Sequence, residues 1–557
     1  MINYKLKIEN RMVIRMAGIS VLLLTVMTIT SCSKYLDTQP TSFIPVNNYF
    51  QTADQMNSAL TGVYELLGSG NLYGENLWAF LNSSTDESFY TRSGSTTLTG
   101  PVLYNYTPAD GMIGGLWSDL YTGINRANLL LDNINKPLMD SASRSVVQGE
   151  ALFLRAYYYF LLVSNWGDVP MPLHATTSPD SIYFPKTKSR AVYTQIINDM
   201  TLADSLVKTI TQWGYSGRVS KTVVEGILAR VCLFRAGYPF TDSSAYFYSQ
   251  SLNWSNKVVN SGIHSLNPSY SQIFINHCQN IYDIKESMWE VEFTGNGIGT
   301  NTQAYGWVGS ANGIACDDNS IGYSYGFLNT TATLFNAYSG SNKLVSPDKR
   351  RDWNIAPFSY KTYKNKVTGL IDSTTTAAWP IYDVYNRNCG KWRRSYEVAA
   401  PKSKNFTAIN FPLLRYADVL LMKAEAINEV NQGPTPEAYD AINQVRRRAY
   451  GFRVDLINKA TDLSAGLGYT DFQQAVYNER LLELCFEGLR RNDLIRWGTF
   501  LPTMQVVAYQ ILSSAPSGFL YAANASSNVQ PKHQLFPIPR YEMALNPAMN
   551  GQQNPGW

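Results

Sequence analysis

Residues 151–163 read ALFLRAYYYFLLV. Apart from Arg155, every side chain is apolar or aromatic, on all faces that a 3.6-residue turn presents. That pattern predicts a helix sunk in the interior of a helical array rather than laid on a surface. It stops at Gly167, with Pro170 and Pro172 behind it, as a helix ends. Amphipathic helical patterns surround it at 52–67, 112–134, 144–166, 191–207, 221–236 and 245–259. In the first of these, Met56, Leu60, Val63, Tyr64 and Leu67 line one face. After 266 the texture changes: Gly, Ser, Asn and Thr rise, Trp and Tyr are interspersed, and only 288–293 alternates like a strand. An irregular stretch as long as 266–405 inside a compact protein is usually functional. Helical patterns return at 416–431, 435–449 and 471–497. Ala426, Ala438, Ile442 and Val445 follow part of the tetratricopeptide spacing, in which small residues let paired helices approach. The expected fold is therefore mainly α, a tetratricopeptide-like helical-hairpin scaffold with long irregular loops and a few short strands.

The N-terminus carries a different message. Lys5, Lys7, Arg11 and Arg15 stand against one acid, Glu9, and an uncharged apolar run reaches Thr30. A basic start, a short apolar run and small residues before a cut describe a secretory signal peptide. The run is shorter than the roughly twenty residues needed to span a bilayer. The sequence Ile29-Thr30-Ser31-Cys32 resembles a bacterial lipobox, which implies that residues 1–31 are removed and Cys32 carries the lipid. Residues 32–48 are polar, contain Pro40 and Pro45, and read as a flexible tether. The leader holds a net +3 of the chain's formal +4, leaving +1 on the mature protein. Nothing in that balance points to nucleic acid. Cysteines 232, 278, 316, 389 and 485 are scattered without metal or disulfide-framework spacing. Charged residues are sparse at 16%, while 37 Tyr and 12 Trp are present. That mixture suits a surface binding polar, uncharged ligands by stacking and amide hydrogen bonds.

Six stretches then carry a family likeness: LWSDLYTGINRANLLLDNI (116–134), GEALFLRAYYYFLLVSNWGDVPM (149–171), LLRYADVLLMKAEAINE (413–429), AINQVRRRA (441–449), NERLLELCFEGLRRNDLIRWG (478–498) and HQLFPIPRYEMALNPAMNGQQNPGW (533–557). In this order they resemble the SusD/RagB family of outer-membrane nutrient-binding lipoproteins. The resemblance implies one SusD-like domain over 49–557. Its parts are an N-terminal helical part (49–265), the loop-rich insertion (266–405), a C-terminal helical part (406–530) and an extended tail strap (531–557). It further implies a lipid anchor at the cell surface in the outer membrane, and a SusC-like TonB-dependent transporter as partner. The ligand it implies is an oligosaccharide, with no cofactor and no enzymatic activity. Capture of peptides or glycopeptides by the same transport type is one alternative, and a secreted all-α glycosidase is another.

A sugar site needs exposed aromatic planes for pyranose C–H faces and polar groups for ring hydroxyls. Trp117, Trp166, Trp254, Trp289, Trp353, Trp497 and Trp557 sit in helical, strand or family motifs and are assigned to the core. Trp78 and Trp307 lie instead in Gly/Ser/Asn-rich loops, 69–95 and 297–327, with large aromatics that a loop does not need for its own stability. The resemblance implies a ligand platform in these two regions. The candidate set is Trp78, Tyr73, Tyr90 and Arg92 from the first loop, and Trp307, Tyr305, Tyr323 and Tyr325 from the second. Asn82, Asp86 and Asn312 lie close by in sequence, and Trp213, Trp379 and Trp392 are held in reserve. Glu290 and Glu292 fall on one side of the expected strand, about 6.7 Å apart, and are read as a solvated face rather than a catalytic pair. Asp317, Asp318 and Asn319 lack the graded loop of a calcium motif. Glu479, Glu483 and Glu487 recur every four residues on one expected helix face. Arg490 and Arg491 are expected to answer Glu487, and one of Arg446, Arg447 or Arg448 another member of the row.

Overall fold

Four of the helix starts described below carry a capping side chain. In a computed structural model, which describes residues 49–176, 182–240, 242–299 and 304–557, Thr52 and Gln55 form a capping box at the head of α1 (Ala53–Tyr64). Asp110 caps α2 (Gly111–Asp132) and Asp140 caps α3 (Ser141–Trp166). Gly167 ends α3 with φ +71°, a conformation that disfavours any side chain. Helices α4 (Ser189–Asp204), α5 (Lys221–Ala236) and α6 (Ser244–Asn260) follow, then α7 (Tyr270–Gln279). After the irregular segment come α8 (Tyr416–Asn431), α9 (Pro436–Ala449), α10 (Tyr469–Leu484), α11 (Arg490–Arg496) and α12 (Phe500–Ser514).

Successive helices pack in order: α1 on α2, α2 on α3, α3 on α4, α4 on α5 and α5 on α6. The stack then continues from α6 directly to α8, which carries α9 and α10. The segment between α7 and α8 is thus looped out of the array. Thr52–Trp557 is one compact unit, and the expected helical-hairpin scaffold is the observed one. α3 is its axis, with Phe153, Leu154, Tyr157, Tyr158 and Leu162 almost wholly buried. Each such side chain contributes about 1.5–3 kcal/mol relative to exposure.

Among the described residues, three antiparallel two-stranded sheets complete the unit. β1 (Ser88–Tyr90) pairs with β3 (Leu328–Thr330), β2 (Ser287–Val291) with β6 (Phe411–Arg415), and β4 (Phe358–Lys364) with β5 (Ile371–Ala378). The hairpin β4–β5 lies in the stretch expected to be irregular. Asp317 and Asp318 hold it: Lys364 Nζ stands 2.8 Å from Asp317, and Thr374 Oγ1 donates to Asp318 at 2.7 Å. Those carboxylates are thereby committed to packing a hairpin.

The acid row is buried and paired. Arg446 reaches Glu479 at 3.0 Å and Arg448 reaches Glu483 at 2.7 Å, as expected. Two expectations fail. The helix over 471–497 breaks after Leu484, with Phe486 and Gly488 at positive φ, so Glu487 lies off the helix. Glu487 is answered by Lys391 (2.6 Å) and Arg415 (2.7 Å). Arg490 pairs with Asp86 instead, and Arg491 donates to the His533 carbonyl. The break is a tertiary effect: it turns Glu487 toward β6 and offers the Phe486 N–H to Glu87 at 3.1 Å.

The tail behaves as a strap. Phe536 and Ile538 are fully buried, Trp166 Nε1 donates to the Pro537 carbonyl at 2.9 Å, and Trp557 stacks on Tyr106 with centroids 4.9 Å apart. It is pinned by short turns and one six-residue helix, Arg540–Leu545. Residues 1–48, including Cys32 and the whole tether, lie outside the described residues. Cys232, Cys278, Cys316, Cys389 and Cys485 are buried free thiols.

Candidate functional site

The pairing of β1 with β3 brings the two candidate loops together, because Tyr90 sits opposite Leu328. Further backbone bonds lock them. Thr91 N–H donates to the Phe327 carbonyl at 2.8 Å, Tyr325 N–H to Ser310 at 2.7 Å, and Trp307 N–H to Gly74 at 2.9 Å. A turn that places large rings at a surface is held open by its own hydrogen bonds, so the rings need not collapse inward.

The result is a ribbon of aromatic rings. Tyr305 lies 4.0 Å from Phe406 between centroids, and Phe406 5.3 Å from Trp307. Trp307 is 6.2 Å from Tyr325, Tyr325 5.0 Å from both Tyr323 and Phe327, and Phe327 5.4 Å from Tyr90. Tyr305 is exposed, and Trp307, Tyr323, Tyr325 and Phe406 are half-buried. These are offset or tilted contacts of the kind aromatic rings prefer. The exposed Arg92 guanidinium stands over Phe327 at 4.6 Å, and Lys404 over Tyr323 at 4.9 Å. Among the described residues neither cation has an acid partner. Trp307 Nε1–H and the Tyr305 and Tyr323 hydroxyls likewise have no hydrogen-bond partner among them. Tyr325 Oη donates to Asn405 Oδ1 at 2.8 Å, which orients its ring. The surface thus combines flat apolar faces with unspent donors.

Of the eight candidate binding residues, Trp307, Tyr305, Tyr323, Tyr325 and Arg92 meet on one exposed surface, and Tyr90 forms its buried end at 8% exposure. Trp78 and Tyr73 do not, and the expectation for them is corrected. Trp78 is 2% exposed, donates to the Tyr73 carbonyl at 2.8 Å and stacks on Phe411. Tyr73 is hydrogen-bonded to Tyr157 of α3. Both belong to the core because the 3–10 and π turns over 65–81 fold their loop against β6. Among the reserves, Trp392 is buried on the other side of Phe411, and Trp213 carries Lys208 and Arg218 on its ring. Trp379 is half-buried beside β5. Asn82, Asp86 and Asn312 serve as scaffold, bonding Gly488, Arg490 and Gly309. Residues 300–303 of the second loop lie outside the described residues.

Sequence reasoning missed Phe406, Phe327, Lys404 and Glu75. Glu75 is half-buried and follows the Gly74 carbonyl that holds Trp307, and its carboxyl has no hydrogen-bond or ion partner among the described residues. Burial pushes its carboxyl up to about 7, and it acts electrostatically on Tyr90. An unpaired acid among Gly, Asn and aromatic residues was its only sequence signal. Glu290 also departs from expectation: it is 2% exposed and accepts from Asn410 at 2.9 Å, so it is no solvated face. Among the described residues no His, Cys, Asp and Glu group is arranged to hold a metal ion.

A stack of helix pairs with a loop-built aromatic ledge defines a helical-repeat scaffold adapted for recognition at its surface. The model described as the SusD family matches residues 285–557, and one described as starch-binding associating with outer membrane matches residues 34–233. The chain belongs to the SusD/RagB family. SusD-like protein P25 of Formosa agariphila is 24% identical over 544 residues, covering 93% of this chain and 95% of its own. A solved SusD homolog from Bacteroides thetaiotaomicron is 29% identical with a TM-score of 0.82, covering 93% of this chain and 100% of its own. Two further solved structures share the fold, each over 91% of this chain and 100% of their own. They are a laminarin binding SusD-like protein, 22% identical with TM-score 0.67, and surface glycan-binding protein A from Bacteroides fluxus, 21% identical with TM-score 0.68.

Proposed function

We propose that this protein is a cell-surface lipoprotein that captures oligosaccharide on its aromatic ledge and delivers it to a SusC-like TonB-dependent transporter in the outer membrane. The observation that carries the reading is the ring series Tyr305, Trp307, Tyr325 and Tyr323, exposed at Tyr305 and half-buried at the others, with the unspent donors of Trp307, Tyr305 and Tyr323. Sugar C–H faces stack on such planes while hydroxyls take up N–H, guanidinium and carboxylate groups. Relatives named for laminarin binding and for surface glycan binding support the ligand class. The lipobox-like stretch ending at Cys32 supports an anchored location. We read the protein as a binder rather than an enzyme, because Glu290 is engaged by Asn410 with His277 beside it, and its relatives carry the names of binding proteins. Affinity electrophoresis against neutral polysaccharides tests the reading. Retardation of the wild type by at least one of them, lost in Trp307→Ala, is expected. Equal retardation of both proteins would remove the ledge from the site.

A further inference from the structure

The loop that carries the rings is almost without charge. No Asp, Glu, Lys, Arg or His stands between Glu292 and Asp317, nor between Asp318 and Lys343. Asp317 and Asp318 are committed to the β4–β5 hairpin through Lys364 and Thr374. Ionic contacts at the rings must therefore come from other segments, and two cations are placed to make them. Arg92 arrives from the turn after β1, its guanidinium carbon 4.6 Å from the Phe327 centroid and 5.8 Å from that of Tyr325. Lys404 arrives from the stretch before β6, with Nζ 4.9 Å from the Tyr323 centroid. Both side chains are exposed, and neither makes a hydrogen bond or ion pair among the described residues. The basic residues next to Lys404 in sequence are spent differently. Lys402 gives its ammonium to the carbonyls of Ile321 and Arg394, Arg393 donates to those of Gly390 and Asp352, and Arg394 closes on Glu397. Glu75 acts on Tyr90 from the same neighbourhood as Arg92 but makes no ion pair with it.

We infer that the ledge selects glycans bearing ionised acid groups, with Arg92 and Lys404 as its specificity-determining residues. The inference rests on the reading of the ledge as a glycan site and names the charge class of the ligand. A cation over an exposed ring gains only about 0.5–1 kcal/mol. The ring thus holds each head group in place while its N–H donors stay unspent. Arg92 and Lys404 also cover the faces of Phe327 and Tyr323, so a ligand there meets positive charge rather than a bare ring. Among the described residues no cation stands over Trp307 or Tyr305, where sugar C–H faces stack. The anionic group is a carboxylate or a sulfate ester. The guanidinium fork matches the paired oxygens of either, and such charge-assisted bonds are about twice as strong as neutral ones. Cations already positioned lose less side-chain freedom on capture. The near-neutral sum of the mature chain does not weigh against this, because a bound ligand responds to charge within a Debye length of about 8–10 Å.

The test uses the mature protein and one neutral polysaccharide that retards it, in three forms: native, with C6 hydroxymethyl groups oxidised to carboxylate, and with sulfate esters at C6. Calorimetry at constant pH reads the affinities. Either acidic form is expected to bind about tenfold tighter than the native one, and the advantage should shrink as salt rises from about 0.05 to 0.5 M. A gain for one acidic form alone supports the inference and names the group. Arg92→Gln and Lys404→Gln should each reduce the advantage, and the double variant should abolish it while keeping the affinity for the native form. Trp307→Ala should weaken all three forms. Wild-type affinities that are equal for the three forms, yet lowered by Trp307→Ala, would overturn this inference and leave the ledge standing. An advantage that survives in the double variant would also overturn it. Heat from tetraglutamate that the double variant abolishes, without any gain for acidic sugars, would assign the two cations to acidic peptide and overturn it too. Retention of no polysaccharide, neutral or acidic, would overturn both readings.

Discussion

Trp307 and Trp78 occupy loops of the same composition and have opposite fates. Trp307 keeps a face and its indole N–H free, whereas Trp78 is closed between Tyr73, Phe411 and Gly488. Replacing Trp78 with Ala should therefore cost about 3–5 kcal/mol of stability, as for other buried aromatics. Chemical denaturation would read it, and a loss below 1 kcal/mol would mean that the ring is not the plug it looks like. Trp307→Ala should leave the denaturation midpoint nearly unchanged. Glu75 adds a pH signature. Its carboxyl, raised to about 7 by burial, is neutral below that value and a stronger acceptor above it. Glycan affinity should then rise as pH increases from about 6 to about 8, and Glu75→Gln should flatten the profile. A wild-type profile already flat would exclude Glu75 from ligand contact. Composition marked both loops but could not separate the two tryptophans, because Phe411 of β6 and Gly488, which close over Trp78, lie more than three hundred residues away.

At the level of elements, the buried charge lattice decides how the looped-out segment is held. Glu483 meets Arg350, Arg415 and Arg448, which join the helix Lys349–Asn354, β6 and α9. Burial alone would raise its pKa, yet these three guanidinium groups hold the carboxyl well below the usual range. Removing one member leaves uncompensated buried charge, which costs about 3–5 kcal/mol. Glu483→Gln should destabilise the protein by that order in urea, and a loss under 1 kcal/mol would contradict the lattice. Glu87 works in the opposite sense. Burial first, then the Asp86 charge, pushes it from 4.5 up to about 8. Folded chains keep this proton after unfolded chains have lost it, so Glu87 lowers stability as pH climbs from about 4.5 to 8 and then levels off. In Glu87→Gln that part of the decline should vanish, and melting curves across the range would show it. The helices of the stack were legible because each carries its own apolar period, and α1, α2, α3 and α9 a capping side chain as well. The break after Leu484 and the swap of Arg490 from Glu487 to Asp86 were not, since both are decided by long-range contacts. The β4–β5 hairpin was missed because its residues are largely Thr and Lys and bury no continuous apolar face.

For the whole molecule, the helical array is the base, and the segment between α7 and α8 is laid on it. The helical-hairpin stack was visible in the sequence, but α7 and the step from α6 directly to α8 were not. The ledge was partly visible: six of its members were named, but Phe406 lies in a stretch no motif singled out, and Phe327 closes the second candidate loop without having been named. On the proposed location, Cys32→Ala should release a protein that binds sugar normally and fails to support uptake. Lost binding in the released form would break the separation between anchor and ledge. Calorimetric titration of wild type and Trp307→Ala with a retarding polysaccharide reads the ledge most directly. A drop in affinity of about tenfold or more, with an unchanged denaturation midpoint, is the expected result. Equal affinities in the two proteins would contradict glycan capture on the ledge.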